Sequence, residues 1–357
     1  ITNYVDLDPT SGLLDWDCTA RTYDGHDAHD NKLRSFGEQL VGVPIFAVQD
    51  GTVIATHDGE DDMNTEALGQ PANYVIIDHG SGRITYYWHM KKNSVAVAVN
   101  DVVKAGQQIG LVASSGNSTG PHLHFATYEN GVVREPNTCY PGDSLWTNQI
   151  PIRRDTYLED LGFFDAPLTS YPRPQELPRD PYFKISDPFI YVWQYLPNLP
   201  AMSTRRQVMK RPDGTTHYNI PGQWTHETDF RWSWWWWSFT NPGTEATLGT
   251  WTYELYVNDE LMTSVPFEMI ANDDTGVNRA PEPVTLALEP PAPTANDVMV
   301  VRVLGDLILD DRDYDIVEYE YVWTVDNVEV RRVTSAGRSD ALPHSIAEAG
   351  DTVHIAV

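Results

Sequence analysis

The chain has 357 residues, enough for two or three domains with real cores, and carries 24 basic against 51 acidic side chains for a net charge of −27. That charge repels phosphate backbones and anionic membranes on average, so nucleic acid is not the expected partner. Hydrophobic residues at 41% and charged residues at 21% exclude wholesale disorder, while 25 Pro, 24 Gly and 12 Trp point to turns and aromatic-rich sheets.

The opening ITNYVDLDPT is neither basic nor apolar enough for a signal peptide, and no window reaches the roughly 18 to 20 apolar residues of a membrane span. The chain therefore reads as soluble and already processed. From Val41 to Tyr128 runs such as GTVIATH, NYVIIDHG, RITYYWHM and HLHFATY, bounded by Gly, Asn and Asp, predict antiparallel strands joined by tight turns. After Phe164 the proline-dense APLTSYPRPQELPRDP predicts a semi-rigid connector, which puts a first domain at 1–165. FIYVWQYL, FRWSWWWWSF and GTWTYELYVNDELMTSVPFEMI predict a β-sandwich at 166–272, with a hairpin turning at Asn258 and Asp259. A second connector leads to a third strand-rich block at 273–357, whose last run stops at Val357 without a terminating turn, as in a truncated unit. The expected fold class is all-β throughout.

The two cysteines, Cys18 and Cys139, flank the first block and are candidates for one disulfide closing it in an oxidising compartment. Five of the eleven histidines fall in three short contexts there: GHDAHD, TYYWHM and GNSTGPHLHF. His122 and His124, separated by one residue in an apolar run, project from one strand face about 6.6 Å apart, so one can hold a metal while the other stays free. His26 and Asp30 add a nitrogen and a carboxylate four residues apart. With one histidine of the pair they make the two-nitrogen, one-oxygen set of catalytic zinc, which keeps a position open for water. Amide hydrolysis also needs groups to move protons and to stabilise an oxyanion. His89 and the other member of the pair have the chemistry for that work.

In this order and among these glycines, the pattern resembles the M23 family of zinc metallopeptidases, the lysostaphin-like and LytM-like enzymes that cut peptidoglycan peptides. The likeness runs over residues 20–137 and is most specific in VNDVVKAGQQIGLVASSGNSTGPHLHF. The resemblance implies that His26, Asp30 and His124 hold one zinc ion, that His89 and His122 are catalytic, and that Tyr87 lines the site. It also implies a peptidoglycan stem or cross-bridge peptide, or a glycine-rich peptide, as substrate. One departure stands out: the family's H-x-G-x-D has Ala28 in place of glycine, which is strained if that turn needs positive φ. His29 beside it is expected to face away from the metal, with a role at the rim of the site as the alternative.

Two features lie outside the first block. RWSWWWWSF places Trp232, Trp234 and Trp236 on one strand face and Trp235 and Trp237 on the other, read as sandwich core and packing between units, with a stacking platform for glycan or protein as the alternative. The run Asp310, Asp311, Asp313 and Asp315 precedes a strand ending in Trp323, resembling PKD-like and immunoglobulin-like modules; it reads as a solvated acidic turn, with calcium binding as the alternative. The whole predicts a secreted zinc endopeptidase with two accessory sandwiches. Its rival is an adhesion or scaffold protein, or an autoinhibited form, that binds wall peptides without cutting.

Overall fold

In a computed structural model, which describes residues 1–138, 144–167, 176–223, 228–245, 247–305 and 307–357, the chain is almost wholly β-structure. The first part contributes β1 (His29–Lys32), helix α1 (Phe36–Val41), β2 (Pro44–Phe46), β3 (Gly51–His57), β4 (Tyr74–Asp78), β5 (Arg83–Trp88), β6 (Val102–Val103), β7 (Gln108–Leu111), β8 (His122–Glu129) and β9 (Val132–Val133). One antiparallel sheet runs in the order β1-β8-β5-β4-β3-β6, with β9 on the end of β8 and β2–β7 as a separate ribbon. Period-two alternation sends Val53, Val75, Ile77, Tyr87 and Phe125 to one face, where they pack with Ile45, Met90, Val103 and Ile109. The opposite face of the β1, β8 and β5 end carries the histidines. Among the described residues no helix is long and apolar enough to cross a membrane.

β1 is a short edge strand, and its position is set by contacts on every side. On one flank it pairs with β8, Asp30 opposite His124 and Lys32 opposite His122. On the other the N-terminal segment adds a bridge, in which Thr2 N–H donates to the Asp30 carbonyl at 2.8 Å and Asp30 N–H to the Asn3 carbonyl at 2.9 Å. Beneath it the buried Glu135 carboxylate accepts from His29 Nε2 at 2.7 Å, Val5 N–H at 3.2 Å and Asn137 N–H at 2.7 Å.

Farther along come β10 (Asp160–Phe164), β11 (Tyr182–Lys184), β12 (Phe189–Leu199), β13 (Thr204–Lys210), β14 (Thr216–Gln223), β15 (Phe230–Thr240), β16 (Gly249–Val257) and β17 (Glu260–Ile270). They form two sheets, β10-β12-β15 and β11-β17-β16-β13-β14, around a core that includes Phe163, Val192, Trp251, Tyr253 and Phe267. β10 precedes the boundary expected at residue 165 yet pairs with β12 from Asp160–Tyr195 to Phe164–Tyr191, so this sheet draws in residues of the first block. The β16–β17 hairpin turns at Asn258 and Asp259, both with positive φ, as a two-residue turn of the primed type requires. The tryptophan strand divides its side chains: Trp234 and Trp236 pack on Phe164, Leu177, Tyr191 and Trp193, Trp237 packs on the main core, and Trp232 and Trp235 are exposed.

The last part comprises β18 (Thr285–Glu289), β19 (Met299–Leu304), β20 (Tyr319–Val325), β21 (Val328–Ser335), β22 (Ser339–Leu342) and β23 (Val353–Ala356). These make sheets β18-β19-β22 and β21-β20-β23 around Val301, Tyr321, Trp323 and Leu342. Among the described residues, the aspartates of the acidic run are not among the close groupings of metal-ligating side chains. Ile308 and Tyr314 of this stretch plug into the preceding sandwich core. Asp313 is taken up by the Arg279 guanidinium at 3.0 Å and the Tyr182 hydroxyl at 2.7 Å, Asp310 by Tyr319 and Arg338, and Asp311 by Asp313 N–H. Burial raises the carboxyls of Asp311 and Asp315 above their ordinary range. Asp310 and Asp313, engaged by neighbouring arginines and tyrosines, help make this a docking segment rather than the wholly solvated turn expected from the sequence.

Glu135→Ala leaves three buried donors without an acceptor. It is expected to cost about 2 to 3 kcal/mol in urea unfolding, with accelerated amide exchange in residues 2–5 and 29–32.

Candidate active site

β8 delivers both histidines of its H-x-H to one face, as period two requires, and the antiparallel register brings Asp30 across from His124. His26 arrives from the turn before β1, where Tyr4 holds it: His26 Nδ1–H donates to the Tyr4 carbonyl at 2.8 Å, leaving Nε2 to face Asp30 Oδ1 at 3.2 Å. His124 presents Nδ1 to the same oxygen, also at 3.2 Å. The Asn3 amide donates to the other oxygen of Asp30 at 2.7 Å. Two ligand atoms 2.0 to 2.2 Å from a tetrahedral ion lie about 3.3 to 3.6 Å apart, so this nitrogen, nitrogen, oxygen set fits a divalent ion of that geometry with little adjustment.

The loop ahead of β8 supplies a second pair. Gly116 sits at φ +74° with Ala72 where a Cβ would be, so the tight turn of GNSTG requires glycine there. Its neighbours place two acceptors: His89 Nδ1–H donates to the Ser115 carbonyl at 2.6 Å and His122 Nδ1–H to the Gly120 carbonyl at 2.8 Å. A carbonyl only accepts, so both rings carry their proton on Nδ1 and turn a bare Nε2 outward. The two rings lie 4.6 Å apart between centroids, and His89 lies 5.6 Å from His124. Within the described residues, the close groupings of metal-ligating side chains are His26–Asp30–His124 and His89–His122–His124.

Charge sorts these groups into different protonation states. Burial disfavours ionised Asp30, but hydrogen bonds from His124 and His26 and the charge of His122 outweigh it and hold the carboxyl well below the usual range. Burial also works against a charged His124, yet Asp27 and Asp30 outweigh it and raise the ring to about 9. Asp27 faces His124 Nε2 at 3.4 Å and accepts from the Tyr128 hydroxyl. Burial, with the charge of His122, pushes His89 down to about 3, and burial likewise lowers His122. The Asp27 and Asp30 carboxylates thus face a proton-loaded His124, while His89 and His122 stay neutral with free lone pairs.

Tyr87 is not at the site. It is 0% exposed, its hydroxyl accepts from Val48 N–H at 3.0 Å, and its ring packs on Phe125 beneath the sheet. β5 ends at Trp88 and His89 adopts φ +64°, which turns its ring onto the face opposite Tyr87. Trp88, directly opposite His124 in the register, shares the face that alternation denies Tyr87. His29 is 1% exposed and points to Glu135, away from Asp30. Ala28 is buried without positive φ, so the missing glycine brings no strain. Cys18 is exposed, and Cys139 lies outside the described residues. Asn3, Tyr4 and Asp27 escaped the sequence reading because their contacts depend on how the N-terminal segment docks; only Asp27, adjacent to the motif histidine, left a local signal.

Residues 37–136 match the family model described as peptidase family M23. This stretch contains His89, His122 and His124, while His26 and Asp30 precede it. The chain is 35% identical over 131 residues to a protein of Buchnera aphidicola described as an uncharacterized metalloprotease, covering 37% of this chain and 30% of that one. It is 38% identical over 98 residues to the peptidoglycan DD-endopeptidase ShyC of Vibrio cholerae, covering 28% of this chain and 20% of that protein. It thus spans less than a third of the length of these relatives. A solved zinc-containing peptidase from Vibrio cholerae is 27% identical, with 38% of each chain covered and a TM-score of 0.25. On the family match, the chain carries a peptidase domain of family M23.

Proposed function

We propose that the chain is a zinc metalloendopeptidase that hydrolyses peptide bonds in peptidoglycan stem or cross-bridge peptides. The observation that carries this reading is the convergence of His26 Nε2 and His124 Nδ1 on one oxygen of Asp30, beside two neutral imidazoles. His26, Asp30 and His124 would hold the ion, which when bound acidifies water and polarises the scissile carbonyl. The free Nε2 atoms of His89 and His122 accept the proton that hydrolysis releases, and the resulting imidazolium donates to the oxyanion or the leaving amine. Asp27 orients the His124 ring through Nε2 while Nδ1 turns to the ion. The peptidoglycan DD-endopeptidase among the relatives supports a wall peptide as substrate and hence a periplasmic or extracellular setting. Within that class, a glycine-containing bond is the finer expectation, and the sandwiches at 166–272 and 273–357 serve as accessory modules.

Zinc-loaded protein is expected to release new amino termini from purified peptidoglycan, and from oligoglycine if the bond contains glycine. His124→Ala is expected to lose stoichiometric zinc together with about 10³-fold or more of that rate. No release from either substrate at one bound zinc per chain would overturn the wall-peptide reading.

Because metal-free His124 holds its second proton up to about pH 9, zinc must displace it. Zinc affinity is therefore expected to rise about tenfold per pH unit from 7 toward 9 and to level off above, with close to one proton released per zinc in calorimetry run in two buffers. Asp27→Asn removes part of the raising charge and is expected to flatten that slope.

A further inference from the structure

Next to the histidine cleft a second cavity opens at the seam between the first sheet and the tryptophan strand. The cleft cavity, about 250 Å³, is lined by Asp30, His122, Lys32 and Thr2 among others. The seam cavity, about 200 Å³, shares Thr2 and Lys32 with it and continues to Arg21, Tyr157, Glu159, Arg231 and Trp232. Lys32 joins the two because it lies directly across from His122 in the β1–β8 register.

The lining of the seam cavity carries charge of the opposite sign to the chain as a whole. Arg21, Lys32 and Arg231 face a single carboxylate, Glu159, which Lys32 already engages at 3.2 Å. Arg21 donates only to neutral oxygens, the Arg153 carbonyl at 3.3 Å and Asn198 Oδ1 at 3.0 Å. Arg231 does the same with the Thr2 carbonyl and Asn3 Oδ1. Among the described residues neither guanidinium has a carboxylate partner, although the chain has 51 acidic residues to offer. Burial, reinforced by the charge of Arg21, pushes Arg231 down to about 10 against the opposing pull of the Asp15 and Asp30 carboxylates farther off. The Arg231 guanidinium also lies 4.4 Å over the ring of the exposed Trp232, which gives the cavity an apolar wall beside its donors.

We propose that the seam cavity is an anion subsite, in which Arg21 and Arg231 receive a carboxylate of an acidic peptide lying across the catalytic histidines; this rests on the peptidase reading. A planar, forked guanidinium suits a carboxylate geometrically, and two of them in a partly buried cleft bind it more strongly than exposed lysines do. One guanidinium comes from the N-terminal region beside the first sheet and the other from β15, so the first sandwich completes the substrate groove. The position of Lys32 sets the direction: peptide entering from the seam passes Lys32 before it reaches His122.

The test uses the full chain and the stem pentapeptide Ala-γ-D-Glu-Lys-D-Ala-D-Ala, with both carboxylates free or both amidated. Calorimetric titration is expected to show the free form binding about 10-fold tighter at low salt. That preference is expected to shrink as ionic strength rises and to fall below about 2-fold in both Arg21→Gln and Arg231→Gln. Thermal melts of the variants establish that each is folded, and Arg21→Gln keeps the test sound if Arg231→Gln disturbs Asn3. Equal binding of the two peptides, or a preference that survives in both variants, overturns the subsite. Release of amino termini from purified peptidoglycan and oligoglycine is scored separately. A chain that prefers the free carboxylates yet releases nothing from either keeps the subsite and loses the wall-peptide reading, whereas one that releases them but binds both pentapeptides equally does the reverse.

Discussion

The register between β1 and β8 is the constraint on which the site depends. With Asp30 opposite His124, the carboxylate and both imidazoles of H-x-H share a face. A slip of one residue would turn Asp30 into the sheet's other side and bring His29 forward in its place. Four residues of edge strand are too few to hold a register by pairing alone. The N-terminal bridge at Asn3, the His29–Glu135 contact below and the Lys32 contacts to Tyr195 and Glu159 above each penalise the slipped arrangement.

This explains which parts were legible in the sequence. Alternating Val, Ile and Tyr runs between glycines and asparagines announce antiparallel sheets, because a strand's periodicity is local. The H-x-x-x-D and H-x-H spacings are local too, and the structure brings their side chains together. The family resemblance implied Tyr87 at the site, but the positive φ at His89, one residue past the end of β5, turns the His89 ring to the face opposite Tyr87. The acidic run was read incompletely for another reason. Four aspartates close in sequence look like a solvated turn until the arginines and tyrosines that engage Asp310 and Asp313 are in place. Arg279, Tyr182, Tyr319 and Arg338 come from separate segments that no local window contains.

The accessory regions are less independent of the peptidase region than a reading by blocks implies. β10 belongs to the first sandwich although it precedes the proline-rich connector, and Tyr314 of the last part sits in that sandwich's core. The last part also touches the peptidase sheet directly. Ala336 N–H donates to the Gly42 carbonyl at 2.9 Å, the Arg331 guanidinium to Gln108 at 3.0 Å, and His344 meets Asp50 at 2.8 Å.

Three of the histidines in the cleft owe their tautomer to main-chain carbonyls, those of Tyr4, Ser115 and Gly120. A carbonyl belongs to every residue, so substituting the side chain at any of these three positions leaves the acceptor in place. The proton pattern of the cleft is thereby encoded in the path of the backbone more than in the identity of neighbouring side chains. Over evolutionary time, the loops can drift in composition while the lone pairs keep their aim, and what selection must preserve is their curvature.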